Sequence, residues 1–219
     1  TEFGPADFPP GYKQEFKTSV KEYRDYLYIN QYFPSGQMNR GQYFEKQGQT
    51  QKAIEAYKEA IDKDPRFNPA RINLAYIYNE EGQKEKARQL LEKVIEQEPG
   101  YGPAYYSLAL LIAGQGKLQE AVPRFKKATE LMPEHPRSRY NLAITYQKLK
   151  DPEASETMYL EAIKLAPEHP EYRYGICTLY LQQNQYEKAL PHAEKLVELQ
   201  PNNRQFQRIL QMVNQRMNQ

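Results

Sequence analysis

Five prolines constrain this chain more than any other feature. Pro65, Pro99, Pro133, Pro167 and Pro201 follow one another at intervals of 34 residues. Other columns keep the same step. Small residues recur at Ala53, Ala87, Ala121, Ser155 and Ala189, and larger ones at Tyr57, Leu91, Phe125, Tyr159 and Ala193. Leu74, Leu108, Leu142 and Ile176 share a phase, and Gly41, Ala75, Ala109, Ala143 and Cys177 share the next. A fixed period of this length is the mark of a repeat architecture.

Each period contains two helical signatures. Leu74 to Tyr78 places apolar groups four apart, Glu81-Gly82-Gln83 interrupts them, and Ala87, Leu91 and Val94 resume the pattern until Glu98-Pro99. Spacings of three and four put such side chains on one face of a helix. A glycine ends the first helix, and a proline, which has no backbone donor, ends the second. One helical hairpin cannot bury its apolar face alone, so hairpins must stack into a solenoid.

These columns resemble the tetratricopeptide repeat family, whose pattern has Leu-Gly/Ala-x-x-Tyr in a first helix and Ala, an aromatic, Ala and Pro in a second. The resemblance covers 170 of 219 residues. It implies an all-α fold, a right-handed α-solenoid of stacked antiparallel helix pairs, with units at 34–67, 68–101, 102–135, 136–169 and 170–203. The chain departs from the pattern at the fourth position of each unit, where Gln37, Arg71, Tyr105, Arg139 and Arg173 stand in place of a large aromatic in all but one unit. Arg40 replaces the usual Leu of the first unit, so its first helix is expected to pack less well.

The same step extends past both ends. Residues 14–33 read as the second helix of a degenerate earlier unit, with Phe16, Val20, Tyr23 and Leu27 on its apolar side. Residues 204–219 read as a capping helix, with Phe206, Ile209, Leu210 and Val213 on one side and polar groups on the other. Residues 1–13, TEFGPADFPPGYK, cannot be helical. They are either a disordered leader or an extended aromatic strip that docks on the solenoid. The chain opens at Thr1 with no targeting signal, so it is expected to be a piece of a longer protein.

In the family, the first helices line a concave face through the second, fifth, ninth, twelfth and thirteenth positions of each unit. Carried onto this sequence, the fifth position reads Met38, Ile72, Tyr106, Tyr140 and Tyr174, and the ninth reads Gln42, Tyr76, Leu110, Ile144 and Thr178. Asn73 and Asn141 occupy the sixth position, where an amide can hold a ligand backbone, and Arg137 and Lys148 add positive charge to the fourth unit. The expected binding face is therefore Ile72, Asn73, Tyr76, Tyr106, Leu110, Arg137, Tyr140, Asn141, Ile144 and Tyr174. Two readings of the tyrosines stand side by side: packing between neighbouring helices, or anchors in a groove for a peptide with apolar side chains. The two-carboxylate clamp of related modules needs Lys and Asn, then Lys and Arg two units on. Met38/Gln42 with Pro103/Ser107 does not supply it. Neither do Ile72/Tyr76 with Arg137/Asn141, nor Tyr106/Leu110 with Glu171/Gly175.

The residues carry no catalytic constellation. Cys177, the one cysteine, falls in the small-residue column and reads as a packing thiol. His135 and His169 sit in Glu-His-Pro turns 34 apart, and His192 is alone on a second helix, so no metal or other cofactor is expected. Thirty basic and 28 acidic residues are interleaved, which argues against a nucleic-acid stripe. The longest apolar run, Leu108 to Ala113, is far short of the roughly 20 residues of a membrane span. The expected function is a non-catalytic scaffold that binds a protein or peptide partner. Two alternatives remain: self-association through residues 1–13, and a docking module of a larger redox enzyme. The second rests on a weak likeness to arrays in bacterial multihaem c-type cytochromes. It tilts the expected compartment slightly towards the periplasm; composition alone leaves the compartment open.

Overall fold

The computed structural model describes residues 32–218 together with Lys21, so the expectations for residues 1–13 and for most of 14–33 lie outside the described residues. Every regular element among the described residues is an α-helix. The order is α1 (Pro34–Lys46), α2 (Thr50–Lys63), α3 (Asn68–Glu80), α4 (Lys84–Gln97), α5 (Gly102–Gly114), α6 (Leu118–Leu131), α7 (Pro136–Lys148), α8 (Pro152–Leu165), α9 (Pro170–Gln182), α10 (Tyr186–Leu199) and α11 (Arg204–Met217). First helices of 13 residues alternate with second helices of 14, and α11 opens the next register. Within each of the chain's two compact units, connections of three or four residues fold each helix back along its neighbour, giving stacked antiparallel pairs. The chain divides into two compact units, one running to Gln97 and one starting at Glu98.

The turn inside each hairpin is one motif used five times. Gly48, Gly82, Gly116, Lys150 and Asn184, spaced by 34, all have left-handed backbone with φ between 56° and 78°. The following amide reaches back to the last turn of the first helix, as in Gln83 N to Tyr78 O at 2.7 Å and Asp151 N to Tyr146 O at 3.0 Å. This closes carbonyls that the helix end would leave open. Glycine takes the left-handed region without strain. In the last two turns Lys150 and Asn184 adopt it with a side chain present.

In the first unit, Ala53, Ile54, Tyr57 and Ala60 of α2 pack against Ala70, Leu74 and Ile77 of α3. Helix α1 buries only Gln37 and Gly41, the thin packing expected where Arg40 replaces leucine. In the second unit the core runs through Tyr140, Tyr159, Ile176, Cys177, Leu196 and Val213. Helix α11 closes it with Phe206, Ile209 and Val213, packs Leu210 half-buried against the same cluster, and turns its remaining side chains to solvent.

Two tyrosines of the second helices need a missing side chain beside them. A Cβ on Gly41 would fall 2.5 Å from the Tyr57 ring, and one on Gly175 would collide with Tyr159. Tyr57 Oη donates to Glu45 at 2.8 Å and Tyr159 Oη donates to Gln147 at 2.7 Å. Both acceptors hold the twelfth position of their unit. The hydroxyl bond is thus built alike three repeats apart, but the glycine is not: Gly41 belongs to the hairpin of Tyr57, and Gly175 to the hairpin after that of Tyr159.

The fourth-position departures also acquire a role. Arg139 donates from Nη1 to the Pro133 carbonyl at 2.6 Å, Arg173 from Nε to Pro167 at 2.9 Å, and Gln207 from Nε2 to Pro201 at 2.6 Å. A polar side chain here clips the end of one hairpin to the start of the next. Arg71 is buried, where it donates to Asn68 at 3.2 Å, and burial lowers its pKa from the usual arginine value.

Candidate functional site

In the second unit the first helices α5, α7, α9 and α11 are tied to one another by side chains. Asn141 Nδ2 donates to Tyr106 Oη at 2.8 Å, linking α7 to α5. Arg137 Nη1 meets Glu171 Oε2 at 2.6 Å, and Gln147 Nε2 donates to Gln182 Oε1 at 2.8 Å, both linking α7 to α9. Gln205 Nε2 donates to Tyr174 Oη at 2.9 Å, linking α11 to α9. These contacts join residues 31 to 35 apart in sequence, so equivalent positions of successive first helices share one face.

The expected site residues divide into three groups on this face. Leu110 is 41% exposed and Ile144 is half-buried. Each lies one helical turn after a tyrosine, so both open onto the face. Thr178 and Met212 continue the same position on α9 and α11. Tyr106 and Tyr174 are half-buried and hold their hydroxyls in the cross-helix bonds just given. Tyr106 also packs edge-on against His135, with ring centres 5.3 Å apart, and burial raises its pKa.

Tyr140 is different. It is 8% exposed, packed 5.9 Å from the Tyr159 ring and 5.0 Å from the Tyr172 ring. Burial, then the charge and hydrogen bond of Glu171, push its pKa up to about 12, although Arg137 opposes them. The Arg137 guanidinium stands 5.6 Å from the Tyr140 ring centre and 5.7 Å from that of Tyr172. Arg137, Tyr140, Glu171 and Tyr172 therefore form a packed knot between hairpins, and the Asn141 amide is already occupied by Tyr106. At these positions the structure displays helix-to-helix packing.

Ile72, Asn73 and Tyr76 lie on α3 in the first unit, with Tyr76 57% exposed. Asn73 joins Gln42, Glu45 and Lys46 around an open, polar cleft of about 460 Å³. Sequence reading overlooked Glu171 and Gln205. Both sit at the second position, in the column of Arg137, and the opposite charges of Arg137 and Glu171 one period apart were the available signal.

No cluster of three or more His, Cys, Asp or Glu residues suited to a metal occurs among the described residues. Cys177 is fully buried with Sγ 3.8 Å from the Ala189 carbonyl, and burial pushes its pKa up to about 11. No described helix is long and apolar enough to cross a membrane.

Comparison with known proteins follows the helix pairs. The sequence matches the tetratricopeptide repeat family over residues 45–112, 113–173 and 157–213. The chain belongs to the tetratricopeptide repeat family. No curated protein matches it as a relative. Among solved structures this tetratricopeptide array is similar in fold to pilF of Pseudomonas aeruginosa, with a TM-score of 0.73 at 18% identity over 84% of this chain and 86% of that one. It is also similar to MamA of Desulfovibrio magneticus RS-1, at 0.66 and 18% over 78% and 97%. A third is YrrB, described as a TPR protein with an unusual peptide-binding site, at 0.62 and 16% over 88% and 97%.

Proposed function

We propose that this tetratricopeptide array is a non-catalytic scaffold that captures a peptide segment of a partner protein on the first-helix face of its second unit. The observation that carries the reading is the row formed by Leu110, Ile144, Thr178 and Met212. Its apolar members keep part of their surface open, while the groups on either side are fixed by bonds between helices. A rigid frame around open apolar side chains lowers the ordering cost of binding. Tyr106 and Tyr174 serve as walls of fixed orientation, and Tyr140 and Arg137 hold the helices that carry them. The likeness in fold to YrrB, itself described by a peptide-binding site, is in keeping with this use.

The test compares wild-type protein with a Leu110→Ser/Ile144→Ser variant in selection from a displayed random peptide library. The expected outcome is a set of enriched peptides whose binding is lost in the variant while the helical circular dichroism is kept. Enrichment that is the same for both proteins overturns the assignment of the face.

A further inference from the structure

Charge is not shared evenly between the two helix layers of the second unit. The first helices α5, α7, α9 and α11 carry seven cations and one carboxylate. The second helices α6, α8 and α10 carry six cations and eight carboxylates. The near-neutral whole chain hides this segregation.

The helical phase says which of these cations reach the binding face. At 100° per residue, Arg137, Ile144 and Lys148 fall within about 40° of one another on α7. Gln205, Arg208, Met212 and Arg216 fall within about 80° on α11. Gln205 touches Tyr174, which fixes the side of α11 that this stripe occupies. Lys148, Arg208 and Arg216 are exposed, and none has an ion pair among the described residues. Arg139 and Arg173 do not count towards the face, because their guanidinium groups turn back to the Pro133 and Pro167 carbonyls. Glu171, the one carboxylate of these helices, is held by Arg137. Helix α5 has no charged residue at all.

The face is therefore graded. Its α5 end offers Leu110 and no charge, and its far end offers Met212 between two free arginines, with Lys148 beside the path. We infer that the partner segment is an acidic peptide, with apolar side chains on the Leu110–Ile144 stretch and carboxylates towards the α9–α11 end. The inference rests on the peptide-capture reading above and adds the partner's charge and polarity to it. Three steps between first helices of about 9 Å each would be spanned by about eight extended residues. Exposed charges of this kind act chiefly on association rate and partner choice, and they are screened by salt.

The experiment uses the full chain and a displayed library of random peptides of about 12 residues, long enough for that span. Selection is run against wild type, against Lys148→Glu/Arg208→Glu/Arg216→Glu, and against Leu110→Ser/Ile144→Ser. All the changed side chains lie at exposed or half-open positions, and circular dichroism melting checks each fold. The expected result is a wild-type pool rich in Asp and Glu on one side of an apolar core. Its members should bind the charge-reversed protein about tenfold more weakly or worse, and the loss should shrink as salt rises. A wild-type pool without acidic bias, still dependent on Leu110 and Ile144, overturns the charge assignment and leaves peptide capture standing. A pool indifferent to Leu110 and Ile144 overturns both.

Discussion

Replacing Gly175 with alanine should destabilise the protein, although a glycine in the middle of a helix is ordinarily improved by that change. Propensity alone favours alanine by about 1 kcal/mol. Against it stands the Tyr159 ring. A Cβ at 175 would collide with Tyr159 Cε1, lie 2.9 Å from its Cζ and 3.2 Å from Tyr140 Cε2. Tyr159 is 1% exposed and its hydroxyl is tethered to Gln147, so the ring has nowhere to move. Overfilling such a site costs about 1–3 kcal/mol, so after the propensity gain the net loss should reach up to about 2 kcal/mol. For a chain of this length that is a fall in Tm of up to roughly 4–8 °C, read by circular dichroism and by urea denaturation. Two controls isolate the cause. Gly114→Ala, at a helical position with open space around it, should raise stability by a few tenths to about 1 kcal/mol. In a Tyr159→Leu background, which mimics Leu91 of an earlier unit, Gly175→Ala should lose most of its penalty, with a coupling of about 1 kcal/mol or more. A Gly175→Ala protein more stable than wild type would refute the crowding argument outright.

Other outcomes follow from features of the hairpins. Asn184→Gly and Lys150→Gly relieve left-handed backbone at residues with a side chain; each should stabilise by about 0.5–1 kcal/mol in urea titrations, and loss of stability would refute the strain. Cys177 should resist thiol reagents at pH 8 in the folded protein and react at once in denaturant, because burial disfavours its thiolate. His135 and His192 have pKa values lowered, first by burial and then by Arg137 and Arg139 for His135 and by Arg173 for His192. The unfolded chain therefore takes up protons near pH 6.5 while the folded chain does not, so stability should decline as pH falls below that value. Denaturation midpoints at pH 7.5 and 5.5 measure the decline. A His135→Gln/His192→Gln variant should flatten it, and an unchanged slope would show that other groups set it.

Much of the fold was legible because the period is physical: the same columns must meet at the same helix contacts in every unit. The hairpin turns were visible where glycine stands at 48, 82 and 116. Asn184 is the non-glycine type that tolerates this backbone, but the turn was obscure at Lys150, whose side chain carries no such preference. The site was harder to read. The columns placed Leu110 and Ile144 on a common face with Tyr106 and Tyr174, but could not separate Tyr140 from them, since burial at the fifth position depends on its neighbours. Tyr140 sinks between Tyr159 and Tyr172 because Gly175 leaves room for the Tyr159 ring across from it. The Arg and Gln clips to proline carbonyls read in the sequence only as departures from a family pattern, because their acceptors are backbone atoms that no residue letter reveals.

Those clips have a consequence for how the molecule can change. Each spans six residues, from the close of one hairpin to the opening of the next. Cutting the gene at one of these three clips and rejoining it at the following one leaves an intact junction, whether residues 136–169 or 170–203 are lost or copied. Arrays shorter or longer by whole hairpins should therefore fold with native joints, and length becomes a property that duplication can adjust without redesign.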